Sequence, residues 1–212
     1  MSNDYGADNR FMSRFSKIID TLVLGILWLL CSIPVFTVGA ASSAAYYAYH
    51  KAIRQDQSYM RKEFFAAFKA NFKRATGMWL ILLTFELLSV ITCYLLWSIR
   101  ESIPVAGVML TMGAVIVCVV AVWCIYVFAY QARFENTMGN VLKNSLLLTV
   151  LNLPWSVLLL LILVAAVAVI WRLPPLYAPA AAIYLWLNNK ILERIFRKIM
   201  TEEERIAEMQ LD

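Results

Sequence analysis

Charge is scarce in this sequence. Lys, Arg, Asp and Glu together make up 16% of the 212 residues, where a soluble globular domain carries roughly a quarter. Apolar residues fill the gap at 62%, more than a water-facing fold of this size can hide, so an ordinary soluble domain is excluded. Histidine occurs once, as His50, and no H-E-x-x-H is present. The four cysteines, Cys31, Cys93, Cys118 and Cys124, are scattered over three apolar segments without a C-x-x-C pair. That spacing offers neither a zinc site nor a disulfide framework, and the thiols read as small apolar packing. G-x-S-x-G and G-x-x-x-x-G-K-[ST] are also missing, which removes the signatures of serine hydrolases and ATPases. The expectation is a protein that is not an enzyme and uses no metal or cofactor.

What is present is a series of long charge-free windows, and in a bilayer a charge interrupts such a run only for a reason. There are five: 21–49, 75–99 (broken only by Glu86), 102–132, 144–171 and 173–189. The first is too long for one crossing of about 20 residues and short for two. Pro34 and Gly39 lie inside it, where the composition changes from Leu/Trp-rich to Ala/Ser/Tyr-rich. A helix to about residue 33, a break over 34–39 and a shorter returning helix are therefore predicted. Pro104 suits the first turn of the third window's helix. Asn152 and Pro154 predict a kink in the fourth, and Pro174 and Pro175 open the fifth.

Lys and Arg decide the orientation. With the first window as helix and returning helix, seventeen of these cations fall on one side and two, Arg100 and Arg172, on the other. The positive-inside rule prefers this arrangement to five spans. The expected fold is an all-α, polytopic transmembrane bundle of five to six membrane segments, in the bacterial plasma membrane with both termini cytoplasmic. One transmembrane domain covers 1–212. It divides into a tail (1–17), the broken helix pair (18–54), a cytosolic amphipathic helix (55–74), the remaining spans (75–189) and a charged cytosolic helix (190–212). The basic N-terminus, apolar run and Val38-Gly39-Ala40 mimic a secretory signal, but the run is long and an uncleaved helix is the better reading.

Glu86 is the single acid inside a predicted span. Such a group reads as a coupling or ligand site, or as a carboxyl hydrogen-bonded within the bundle to Thr84, Ser89 or a facing Asn. Phe64, Phe68 and Phe72 recur every four residues, with Lys69 and Lys73 on another side. This is the pattern of a helix lying in the membrane interface or docking a partner. Tyr46, Tyr47 and Tyr49 read as interfacial anchors. The net charge of +5 sits beside the spans, so it reads as orientation and attraction to membrane lipids, with no nucleic acid as partner.

The run from Leu27 through Pro34 and Gly39 to Tyr47 resembles the opening segment of the YesL family of small bacterial integral membrane proteins. The Phe68-Lys69-Ala70-Asn71-Phe72-Lys73 run and Lys143-Asn144-Ser145 resemble that family's two cytosolic segments. The resemblance implies a genomic setting beside carbohydrate ABC importers, solute-binding lipoproteins, sensor kinases and glycoside hydrolases, and supplies no catalytic residues. The expected function is a non-enzymatic accessory or regulatory subunit of a carbohydrate uptake or sensing system, with an ABC permease, ATPase or sensor kinase subunit as partner. The alternative is a stand-alone small-solute transporter built on the broken helix and Glu86.

Overall fold

Pro34 cannot supply the backbone N–H that would continue the first helix, and the chain stops there. In the computed structural model, which describes residues 4–54, 59–134 and 136–200, α1 spans Asp4–Ser32, a 3₁₀ turn covers Val35–Thr37 and α2 spans Val38–Ala48. Thr37 Oγ1 lies 2.5 Å from the Cys31 carbonyl and 2.6 Å from that of Pro34, satisfying oxygens that the break strands. The first three residues, 55–58 and the end of the helix expected over 190–212 lie outside the described residues.

α2 folds back along α1. Trp28 Nε1 donates to Ser42 Oγ at 3.1 Å, and Leu24 shares a buried cluster with Ala44, Ala45 and Ala48 farther along the returning helix. Seven of its residues, Gly39, Ala40, Ala41, Ser43, Ala44, Ala45 and Ala48, are small and buried, which lets the backbone approach its neighbours closely. At eleven residues α2 is only about 16 Å long, and a π-helical turn over Tyr49–Arg54 carries it on.

α3 runs unbroken over Met60–Ile99, forty residues, or about 60 Å against a hydrocarbon core of about 30 Å. The boundary expected at 74/75 therefore falls inside a single helix, whose charged first part continues straight into the apolar part. α4 spans Pro104–Arg133 with Pro104 in its first turn. α5 (Met138–Leu151) and α6 (Leu153–Arg172) are separated by Asn152 alone. Bonds from Asn152 N to Leu148 O and from Ser156 N to Asn152 O carry the helical pattern across it, so the kink expected there is a one-residue interruption. α7 spans Tyr177–Ile199, merging the fifth window with the first part of the charged helix.

Four helices, within Phe15–Ser32, Met60–Ile99, Val105–Arg133 and Leu153–Arg172, are long and apolar enough to cross a membrane. α2 is too short, and α7 joins its apolar half to a charged one. The spans expose Ile81, Leu88 and Leu95 on α3, Val108 and Met112 on α4, and Leu161 and Val164 on α6. Exposed apolar faces of this kind suit lipid rather than water. Among the described residues there is no strand: the chain is an all-α membrane bundle.

Candidate functional site

Two carboxylates stand out in the bundle, Glu193 buried and Glu86 half-buried, and their surroundings differ. Glu86 of α3 borders a cavity of about 330 Å³ enclosed by α1, α2, α3, α4, α6 and α7. Its walls are aromatic. Trp28 stacks on Tyr184 with centroids 5.6 Å apart, and Trp79 meets Phe128 edge to face at 5.9 Å. Trp79 Nε1 donates to Val35 O at 2.6 Å, tying this wall to the 3₁₀ turn between α1 and α2. A Cβ on Gly39 would lie 2.6 Å from Trp79 Cβ and 2.7 Å from the Phe128 ring, so glycine is what lets α2 seat here. The broken helix and Glu86, picked separately from the sequence, thus border one space.

Glu86 Oε2 is buried and has no hydrogen-bond partner among the described residues. The local partners expected for it are occupied. Thr84 Oγ1 donates to Leu80 O at 2.8 Å and Ser89 Oγ to Phe85 O at 2.9 Å, each hydroxyl bonding back onto its own helix.

Glu193 of α7, which lies beyond the apolar stretch of that helix, is 1% exposed and surrounded by partners. The Tyr46 hydroxyl donates to its Oε1 at 2.6 Å. His50 Nε2 lies 3.5 Å and Arg133 Nε 3.7 Å from the same oxygen. Burial by itself pushes this carboxyl up. The hydrogen bond and charge of His50, the Tyr46 hydroxyl and the Arg133 charge outweigh it and hold Glu193 at about 2. The cluster fastens α2 and its π-helical extension, the end of α4, and α7 to one another. Nearby, Lys51 and Glu63 pair at 3.0 Å, joining the π-helical turn to the start of α3. The hydrogen bond that Lys51 donates to Glu63 raises the Lys51 pKa further than burial lowers it.

The aromatic stripe of α3 is used inside the protein. Phe64 is fully buried in the cluster with Leu24, Ala48 and Met60, and Phe68 packs half-buried against the same cluster. Phe68 also stacks on Phe64 at 6.1 Å and meets Phe72 at 5.4 Å. The docking role expected for Phe64 is therefore corrected: its ring is covered by α2, whose small residues admit it. Lys69 and Lys73 are exposed, as are Arg61, Lys62 and Phe65. Tyr46 and Tyr49, expected as interfacial anchors, are buried as well. All four cysteines are free thiols.

Sequence reasoning did not single out Glu193, Arg133 or the pairing of His50. The signal was present in α7, where Asn189, Leu192, Glu193 and Phe196 recur at helical spacing and are all buried, so Glu193 lies on the inward stripe. What no spacing gives is the partner set, which comes from three helices.

Residues 21–93 match the family described as "Protein of unknown function, DUF624". That stretch contains the helix break, the whole of α2 and α3 as far as Cys93, with Glu86 inside it. No curated protein and no solved structure matches the chain.

Proposed function

We propose that this protein is a YesL-type accessory or regulatory subunit, non-enzymatic and integral to the bacterial plasma membrane, serving a carbohydrate uptake or sensing system. In this reading six membrane segments leave both termini cytoplasmic, and the match over 21–93 supports the resemblance from which the context comes. The observation that carries it is the length of α3. A helix of about 60 Å reaches well past a hydrocarbon core of about 30 Å. Its protruding part keeps Phe64 and Phe68 packed inward and offers Arg61, Lys62, Lys69 and Lys73 outward. A rigid basic rod continuous with a span suits contact with a permease, ATPase or sensor kinase subunit. The test is a mild-detergent pull-down of tagged protein from a bacterial host grown on polysaccharide, beside a Lys69→Glu/Lys73→Glu variant, which leaves the core intact. Importer or sensor subunits are expected with the wild type and not with the variant. Their absence from both would end this reading.

The second reading, a stand-alone small-solute transporter, is favoured by the cavity that joins the helix break to Glu86. Irregular backbone at membrane depth is tolerated where it lines such a space. Reconstitution into proteoliposomes with labelled solutes, wild type against Glu86→Gln, tests it.

A further inference from the structure

The chemistry of the Glu86 cavity narrows what it can hold, and this step rests on the solute-binding reading above. Both indole N–H groups in its walls are occupied, Trp28 by Ser42 and Trp79 by the Val35 carbonyl. The Tyr46 hydroxyl, also at the wall, is directed to Glu193. What remains at the lining is mostly ring surface and apolar side chain, with the hydroxyls of Ser42, Tyr49 and Tyr184, the Cys124 thiol, Asn188 and the Glu86 carboxyl as its polar groups, Glu86 the one acid among them. A sugar carries a hydroxyl on nearly every carbon and would leave most of them unpaired against this wall. An anion would meet Glu86 and the negative faces of the rings. A cation clothed in apolar groups meets neither penalty. Its charge finds the Glu86 carboxyl at the border of the space, and its substituents lie against Trp28, Trp79, Phe128 and Tyr184, whose faces attract positive charge. The volume of about 330 Å³ falls at the small end of ligand pockets.

We propose that the cavity bordered by Glu86, Trp28, Trp79, Phe128 and Tyr184 is a binding site for a small apolar organic cation of the quaternary-ammonium type. The carboxylate supplies the counter-charge and the four rings supply the cage. Because Tyr46 borders the cavity and bonds Glu193, an occupant touches the same side chain that fastens α2 to α7.

The experiment is scintillation-proximity binding of radiolabelled benzyltrimethylammonium to the purified full chain in detergent, with neopentylbenzene, its uncharged isostere, as competitor. Saturable binding is expected. Glu86→Gln should weaken it at least about tenfold, Glu86→Asp should keep it within about threefold, and the neutral isostere should compete poorly. Size-exclusion profiles of each variant confirm that they fold. Equal affinity in wild type and Glu86→Gln, or a neutral isostere that competes as well as the cation, would overturn the cation assignment and leave an apolar cavity suited to acyl chains. Absence of any saturable binding would overturn the cation site, and the solute reading would then stand or fall on uptake of other labelled solutes into proteoliposomes. Cation binding without uptake into proteoliposomes would uphold the site and overturn only the transport role.

Discussion

The surroundings of Glu193 and of Glu86 show two ways in which a helical bundle treats an acid. At Glu193 a tyrosine hydroxyl, a histidine and an arginine converge on one carboxylate oxygen from α2, its π-helical extension and α4. At Glu86 the neighbouring hydroxyls turn back to their own helix, and the residue borders a cavity walled largely by aromatic rings. The first arrangement is a fastener, since removing the carboxylate takes the counter-charge from the buried groups gathered on it. The second leaves its acid to something from outside the chain. The residue type is the same; what differs is whether hydroxyl and cationic side chains of the protein gather round it.

The largest effect expected from this contrast belongs to Glu193→Ala. It strands His50 and Arg133 at 8% and 16% side-chain exposure without their carboxylate, a loss of about 3–5 kcal/mol by analogy with broken buried pairs. Thermal unfolding in detergent reads it as a sharply lowered midpoint, and a melting curve unchanged from wild type would remove the fastener from the account.

Acid should act on the same point more gradually. The folded Glu193 value, about 2, lies below the roughly 4.3 of an unperturbed glutamate. Its contribution to stability is therefore complete above about pH 4.3 and lost as pH falls through about 2, because protonation then favours the unfolded chain. Melting temperatures recorded between pH 6 and 2 should decline across that window in the wild type. In Glu193→Gln this component of the decline should be gone, and parallel curves for the two proteins would contradict the shift.

The smallest effect should come from Glu86→Gln. With no hydrogen bond to lose, the change should alter stability by less than about 1 kcal/mol, while weakening cation capture at least about tenfold. A drop comparable to that of Glu193→Ala would show that Glu86 holds the fold as well and would erase the distinction between the two regions.

Much of this was legible in the chain, for identifiable reasons. Pro34 removes a donor and fixes a dihedral locally, so the end of α1 at Ser32 needed no knowledge of neighbours. Asn152 beside Pro154 marked its interruption in the same way. The membership of Phe64, Phe68 and Phe72 in one helical stripe was equally local, but the surface it meets was not. Periodicity says that a face is apolar without saying whether lipid, a partner or another helix covers it, and here α2 does. The continuity of α3 across residue 74 was hidden for a related reason. Charge content marks where a helix leaves the bilayer, and backbone geometry alone decides whether it also ends there.

The sequence by itself determined that the protein is a helical membrane bundle and where its first helix breaks, because charge depletion and proline act on each segment through solvent and backbone, independently of the rest. It also marked Glu86, since a lone acid in an apolar run stands out whatever its neighbours. Tertiary structure decided that Glu86 opens onto an aromatic cavity beside the helix break. It decided too that Glu193, one charge among several in α7, is the one turned inward to Tyr46, His50 and Arg133. Those partners lie as many as 147 positions away along the chain, and only the packing of α2, α4 and α7 brings them within bonding distance.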